Sequence, residues 1–114
     1  MLGAIGGDII GSIYERRSIK TKEFPLFDPC CRFTDDTVLT IAIAHAILTN
    51  APYEDALRMI GRRYPNAGCG GSFIDWLLDS DPAPYNSWGS GAAMRVSPVG
   101  FACNTEAEVL DHAE

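Results

Sequence analysis

The sequence predicts an all-α protein, and three observations favour this fold class. Apolar residues recur at helical spacing along most of the 114-residue chain. No segment of strand length alternates apolar and polar residues convincingly. Glycine and proline cluster in three loops, 24–32, 65–71 and 79–90, which separate the apolar stretches. These features indicate a compact multi-helix bundle that forms a single domain over residues 1–114.

Cap residues, glycines and prolines set the expected helix bounds. Thr34 precedes an acidic first turn, Pro52 opens the next helix, and Thr105 with Glu108 forms a Thr-x-x-Glu capping box. The fifth helix is expected to start near Gly91 and to stop before Pro98. The predicted helices span about 2–13, 35 or 36 to 49, 53–64, 72–78, 91–97 and 105 onward.

Composition and charge exclude two classes of protein. The longest apolar run, residues 38–48, contains Thr40 and His45 and is shorter than the roughly 20 residues of a membrane span. The net charge is −6, and no basic cluster exceeds two adjacent residues, which opposes binding to a nucleic-acid backbone. The start of the chain lacks the basic residues of a signal peptide, and the four cysteines show no zinc-site spacing. We therefore expect free thiols and a cytoplasmic protein.

Thr34, Asp35 and Asp36 directly precede an unusually apolar helix. Aliphatic residues cover nearly every face of residues 38–48, so the helix is expected to be buried, with its N-terminus in a cleft or the interior. One interpretation is a helix cap that contributes about 0.3–1 kcal/mol per group. The other is a cation site, because buried carboxylates need a positive partner and few Lys or Arg residues are near.

Two further acids lie beside a stripe of glycines in the N-terminal segment. Gly3, Gly7 and Gly11 form a smooth stripe, and Asp8 and Glu15, seven positions apart, share a face beside it. These acids either accompany close helix packing or join the aspartates of the second helix as oxygen ligands. Carboxylates and hydroxyls without His or Cys favour Mg²⁺ or Mn²⁺ over Zn²⁺.

The loop before the fifth helix is a candidate substrate-binding element. Gly89 and Gly91 flank Ser90 just before small residues, an arrangement whose backbone amides suit a diphosphate. Trp88 either stacks on a base or sugar or covers the core. The candidate binding residues are Ser87, Trp88, Gly89, Ser90, Gly91 and Met94.

Three segments in this order resemble the ADP-ribosylglycohydrolase family, the enzymes related to dinitrogenase reductase-activating glycohydrolase. They read GAIGGDIIGSIYE, RFTDDTVLTIAIAHAIL and SWGSGAAMRVSPVG and lie within residues 3–100. The resemblance implies an all-α orthogonal bundle with two Mg²⁺ or Mn²⁺ ions. Thr34, Asp35 and Asp36 match its metal ligands, and Glu15 matches a glutamate on a mobile flap over the site. Residues 87–91 match the loop that holds the ADP-ribose, whereas Asp8 matches an aspartate to which we assign no role.

The chain departs from the family pattern in two ways. Ser90 stands where the family commonly has Asn, which changes a side-chain contact. Family members are also longer, and a second acidic motif in their C-terminal part completes the metal site. Asp79-Ser-Asp81 does not match that motif, because Pro82 follows it and because it lies upstream of residues 87–91, the glycine loop. The bundle and the metal site are therefore expected to be incomplete here, and a C-terminal part or a partner chain would complete them.

The resemblance implies a metal-dependent hydrolase. Such an enzyme cleaves the glycosidic bond between ADP-ribose and a modified protein side chain or small molecule, through an oxocarbenium-like state. Asp35 or Asp36 would bind metal and position water, and Glu15 would act as general base or gate. Two alternatives stay open: a non-catalytic ADP-ribose-binding fragment or degenerate homologue, and a metal-dependent phosphohydrolase with the same oxygen ligands.

Overall fold

The computed structural model describes residues 1–113, and within them every regular element is helical. The seven helices are α1 (Leu2–Gly11), α2 (Asp35–Thr49), α3 (Tyr53–Gly61), α4 (Gly71–Leu78), α5 (Gly91–Arg95), α6 (Ser97–Ala102) and α7 (Glu106–Ala113). This confirms the predicted all-α class. None of the helices in this range has the length and apolar character that crossing a membrane requires.

The predicted fifth helix, which starts near Gly91 and stops before Pro98, is confirmed, but the helix that follows it was not predicted. α5 ends at Arg95, and a further helix, α6, follows, with Pro98 in its first turn. Proline is tolerated there because its missing N–H would have no intrahelical acceptor. Two other helices end at a glycine earlier than predicted, α1 at Gly11 and α3 at Gly61.

α2 lies at the centre of the bundle and packs against α1, α3, α5 and α6. Its residues Val38, Leu39, Ala42 and Ile43 form the core together with Leu57 of α3 and Val99 of α6. Gly61 allows close packing of α4 on α3, since a Cβ there would lie 3.1 Å from the methyl groups of Leu77. The prediction that α2 is buried is confirmed on these faces, whereas Ile41 and Leu48 are exposed.

Arg58 of α3 and Arg62, the residue that follows this helix, fix the position of α4. Arg62 Nε donates to the Leu77 carbonyl at 2.6 Å, and Arg58 Nη2 donates to the Asp79 carbonyl. Cations at a helix C-terminus satisfy its unpaired carbonyls and complement its dipole. The contacts hold in place the helix that carries Phe73 and Trp76, two aromatic residues of the cleft described below.

The capping box predicted at the start of α7 is confirmed. The Glu108 N–H donates to Thr105 Oγ1 at 3.2 Å, and the Thr105 N–H donates to Glu108 Oε2 at 3.1 Å. The N–H groups of Asn104 and Thr105 hold the pKa of Glu108 below its usual value. Residues within and just before α7 thus fix where this helix starts.

Candidate functional site

Thr34 caps the N-terminus of α2. Its backbone is extended, and its side-chain oxygen accepts a hydrogen bond from the Asp36 N–H at 3.3 Å. The Asp35 N–H donates to the Ala67 carbonyl at 3.0 Å, which ties the start of the helix to the loop before α4. The capping interpretation of this segment is therefore confirmed, and the two aspartates lie in the first turn of the helix.

Asp8 has a structural role that the sequence did not reveal. Its carboxylate accepts four hydrogen bonds, from the N–H and hydroxyl of Thr34 at 2.8 and 2.5 Å and from the N–H and hydroxyl of Thr37 at 3.2 and 2.5 Å. Thr34 and Thr37 are 2% and 7% exposed, so these donors have little access to water. Asp8 thus fastens α1 to the start of α2 and supplies the negative charge that this helix N-terminus favours.

Asp35 and Asp36 are held in an environment that disfavours their charge. Burial raises the pKa of Asp35, and the like charges of Asp36, Glu15 and Asp8 raise it further, against the opposing effect of its own backbone N–H. Burial, followed by the charge of Asp8, raises the pKa of Asp36. The neighbouring charges that act on the pair are thus all negative. Within residues 1–113, no three His, Cys, Asp or Glu side chains converge into a complete metal site.

A cleft of about 990 Å³ joins these acids to the glycine loop. Glu15, Asp35 and Asp36 line one part of it, and residues 84–91, with Met94 and Arg95 of α5, line another. The structure therefore brings together the predicted catalytic and substrate-binding residues. Thr34, which was predicted as a metal ligand only, is buried and does not line the cleft.

The glycine loop is open to solvent. Trp88 is fully exposed, so the interpretation that it covers the core was wrong. Within the loop, the Gly89 N–H donates to Ser87 Oγ at 3.2 Å. The helix that follows, α5, has only five residues, so its dipole adds little to anion binding.

Two features of the cleft were not predicted from the sequence. Gly68 has φ +116°, and a Cβ there would lie 3.1 Å from Asp35 Oδ1, so this glycine makes room for the carboxylate. Phe73 and Trp76 stack with their ring centroids 5.4 Å apart and line the cleft beside the loop. The glycine-rich turn at 65–71 was a signal for the first feature, but only tertiary packing shows which side chain it accommodates.

Comparison with known proteins identifies the family. The chain matches the ADP-ribosylglycohydrolase family over residues 1–114, and it therefore belongs to this family. Among curated proteins it is similar to the ADP-ribosylhydrolase ARH3 of Xenopus tropicalis, with 27% identity over 144 residues. That alignment covers 99% of this chain and 41% of the relative, so the chain spans less than half of the relative's length. No solved structure matches the chain.

Proposed function

We propose that this chain carries the ligand-binding cleft of a metal-dependent ADP-ribosyl hydrolase. The bond cleaved would be the glycosidic bond between ADP-ribose and a modified protein side chain or small molecule. Family membership supports the hydrolase class. The observation that carries the finer proposal is the single cleft that joins Glu15, Asp35 and Asp36 to the loop at residues 87–91.

The acidic part of the cleft suits a hard divalent cation. Asp35 and Asp36 offer carboxylate oxygens in the cleft. Thr34 Oγ1, which is buried and outside the cleft lining, donates to Asp8 and accepts from the Asp36 N–H, and it keeps one lone pair as the third oxygen of the proposed ligand set. Burial and like charge both disfavour the ionised carboxylates, and a bound cation would reverse this effect. Oxygen-only ligands favour Mg²⁺ or Mn²⁺. These three residues are fewer than the ligands of a full shell, so water or a further acidic segment would supply the others.

The proposed mechanism divides the work among the residues of the cleft. A bound metal would polarise oxygen ligands and lower the pKa of water. Asp35 and Asp36 would orient the ribose hydroxyls and the attacking water, and Glu15, exposed where it lines the cleft, would accept a proton from that water or gate its access. The phosphates and the ribose would be contacted through backbone amides and hydroxyls of Ser87, Gly89, Ser90 and Gly91. Trp88 would stack on the base or sugar, and Met94 would pack beside the loop residues.

Release of ADP-ribose tests this proposal. The complete enzyme, in which a further acidic segment finishes the metal site of this chain, is incubated with Mg²⁺ or Mn²⁺ and an ADP-ribosylated protein, and the products are separated. We expect free ADP-ribose, and we expect Asp36→Asn to abolish its release while the far-UV circular dichroism stays unchanged. Asp75→Asn, the same change at an exposed position of α4, is the matched control and should retain turnover. Equal turnover by the Asp36 variant would remove this carboxylate from the site.

One observation favours a second candidate, a module that binds ADP-ribose without cleaving it. Within residues 1–113, the acids of the cleft do not belong to a cluster of three or more His, Cys, Asp or Glu side chains that could hold a metal. Calorimetry with ADP-ribose and Mg²⁺ separates a binder from an inert scaffold. Product analysis then separates the module from the hydrolase, because binding without release of ADP-ribose from a conjugate supports the module. Release of AMP and ribose phosphate would instead indicate a phosphohydrolase that uses the same oxygen ligands.

A further inference from the structure

Acidic residues outnumber basic residues in the lining of the cleft. The acids are Glu15, Asp35, Asp36 and Glu54, and Arg95 is the one basic residue among the lining residues in the described part of the chain. An anionic ligand that enters this cleft meets four carboxylates and a single guanidinium. The position of Arg95 therefore decides where a negative group is tolerated.

Among residues 1–113, no carboxylate acts on the charge of Arg95. Burial lowers the pKa of Arg95, and the groups that oppose this are the Tyr85 phenol and the Cys69 thiol. The guanidinium carbon lies 5.4 Å from the centroid of the Phe73 ring. Contact with an aromatic face engages the cation but uses none of its five N–H donors, which stay available for a ligand.

Arg95 also lies between the two parts of the cleft. A Cβ on Gly91 would lie 3.8 Å from Arg95 Nη1, so the guanidinium lies against the end of the glycine loop. Cys69 follows Gly68, where a Cβ would lie 3.1 Å from Asp35 Oδ1, and the charges of both Asp35 and Arg95 act on the pKa of the Cys69 thiol, so Cys69 is near both groups. A ligand group at Arg95 is therefore next to the loop, with the acids of α2 beyond Cys69.

We propose that Arg95 binds the diphosphate of the ligand and thereby fixes the direction in which the ligand lies in the cleft. The phosphates would be held at Arg95 and the loop, and the ribose would extend towards Asp35 and Asp36. A planar guanidinium suits this task, because it can bind two phosphate oxygens in parallel. The identity of the ligand rests on the proposed function, whereas the anion site itself does not.

Calorimetry with inorganic pyrophosphate, in EDTA, tests the anion site separately from catalysis. Arg95→Gln keeps polar length but removes the charge, and we expect it to weaken pyrophosphate binding by about tenfold or more. Arg95→Lys, which keeps a point charge without the planar fork, should lie between this variant and the wild type. Arg63→Gln changes the net charge equally at an exposed residue outside the cleft and should bind within about twofold of the wild type.

Each outcome decides the inference. Wild-type affinity in a folded Arg95→Gln variant, or an equal loss in Arg63→Gln, would overturn it, as would a wild-type protein that binds no pyrophosphate. Far-UV circular dichroism and the melting temperature establish that each variant is folded, and Arg95→Lys supplies a second reading if Arg95→Gln is not. Binding of pyrophosphate that depends on Arg95, without release of ADP-ribose from any conjugate, would sink the proposed hydrolase and leave the anion site standing.

Discussion

The acidic part and the glycine-loop part of the cleft differ in how firmly the fold holds them. At the acidic part, Asp8 links α1 to α2 through four hydrogen bonds, and Thr34 beneath the aspartates is 2% exposed. Apart from the contact of Arg58 with the Asp79 carbonyl, the side-chain hydrogen bonds of the loop at 79–90 are local, such as those from the Asp81 N–H to Asp79 Oδ1 and from the Gly89 N–H to Ser87 Oγ. Trp88 in that loop is fully exposed.

The two parts of the cleft are therefore expected to respond differently when a ligand binds. The acids are positioned by the same contacts that hold the bundle together, so a metal would meet carboxylates that are already in place. The loop has few such contacts, and a ligand would have to order it at an entropic cost. Substitutions that perturb the acidic part should therefore change the stability of the fold, whereas those in the loop should change binding and leave stability nearly constant.

Asp8→Ala should produce the largest effect, because it leaves the buried donors of Thr34 and Thr37 without an acceptor. We expect a loss of about 3–5 kcal/mol in the free energy of unfolding. For a domain of this size that corresponds to a fall in melting temperature of roughly 15 °C or more. Thermal unfolding followed by circular dichroism measures it, with Glu15→Ala, at an exposed acid of the same segment, as the control. A loss equal to that of the control would show that the hydrogen bonds of Asp8 with Thr34 and Thr37 do not stabilise the fold.

Gly68→Ala should have the next largest effect. The left-handed φ of +116° is strained for alanine, and the added Cβ would lie 3.1 Å from Asp35 Oδ1. We expect a loss of about 1–3 kcal/mol in unfolding free energy and weaker metal binding as the carboxylate shifts. Gly70→Ala in the same loop is the matched control, since nothing lies within 4 Å of a Cβ at that position. The same loss in both variants would mean that the contact with Asp35 is unimportant.

Asp35→Asn should have a smaller effect of the opposite sign in the absence of metal. Because the folded-state pKa of Asp35 is raised, the folded protein binds more protons, and stability falls as pH rises above the unfolded-state value of 3.8. The variant should therefore be more stable than the wild type at pH 7 in EDTA, by less than about 1 kcal/mol because solvent screens a partly exposed carboxylate.

Melting temperatures across pH, with and without Mn²⁺, test this sign. The gain of Asp35→Asn should shrink as pH falls through the unfolded-state pKa of 3.8 and vanish well below it, where the Asp35 carboxyl is protonated in both the folded and the unfolded protein. Added Mn²⁺ should stabilise the wild type more than the variant, since binding to the folded state raises its stability. A variant that is less stable at pH 7 in EDTA would contradict the like-charge environment at α2.

The sequence predicted the parts of this molecule that depend on local signals. The Thr34 cap and acidic turn of α2, Pro52 before α3 and the Thr105–Glu108 capping box each act within one turn of helix, and each matches the structure. Pro98 was ambiguous because proline can either follow a helix or occupy its first turn. Local signals of this kind specify where a helix starts or ends, and they hold without knowledge of the fold.

The parts that sequence reasoning missed depend on pairing between distant segments. Asp8 and Thr34 are 26 positions apart, and their hydrogen bonds require α1 to lie across the start of α2. Gly68 matters because Asp35 packs against it, and Arg95 because it is the basic residue in an acid-lined cleft. Helical periodicity predicts which face of a helix is buried but not which helix covers it, so these contacts had no signal in the residues themselves.

Gly89→Val should have the smallest effect on stability and a clear effect on binding, which sharpens the contrast between the two parts of the cleft. A Cβ at Gly89 would lie 3.6 Å from Ser87 Oγ, an ordinary contact in an exposed loop, so we expect the melting temperature to change by less than about 3 °C. The branched side chain would keep phosphate oxygens away from the loop amides, and ADP-ribose affinity should fall by about tenfold. Calorimetry and thermal unfolding on the same sample compare the two. If the melting temperature drops while ADP-ribose affinity stays at the wild-type value, the loop is a structural element, and recognition must come from the aromatic wall formed by Phe73 and Trp76.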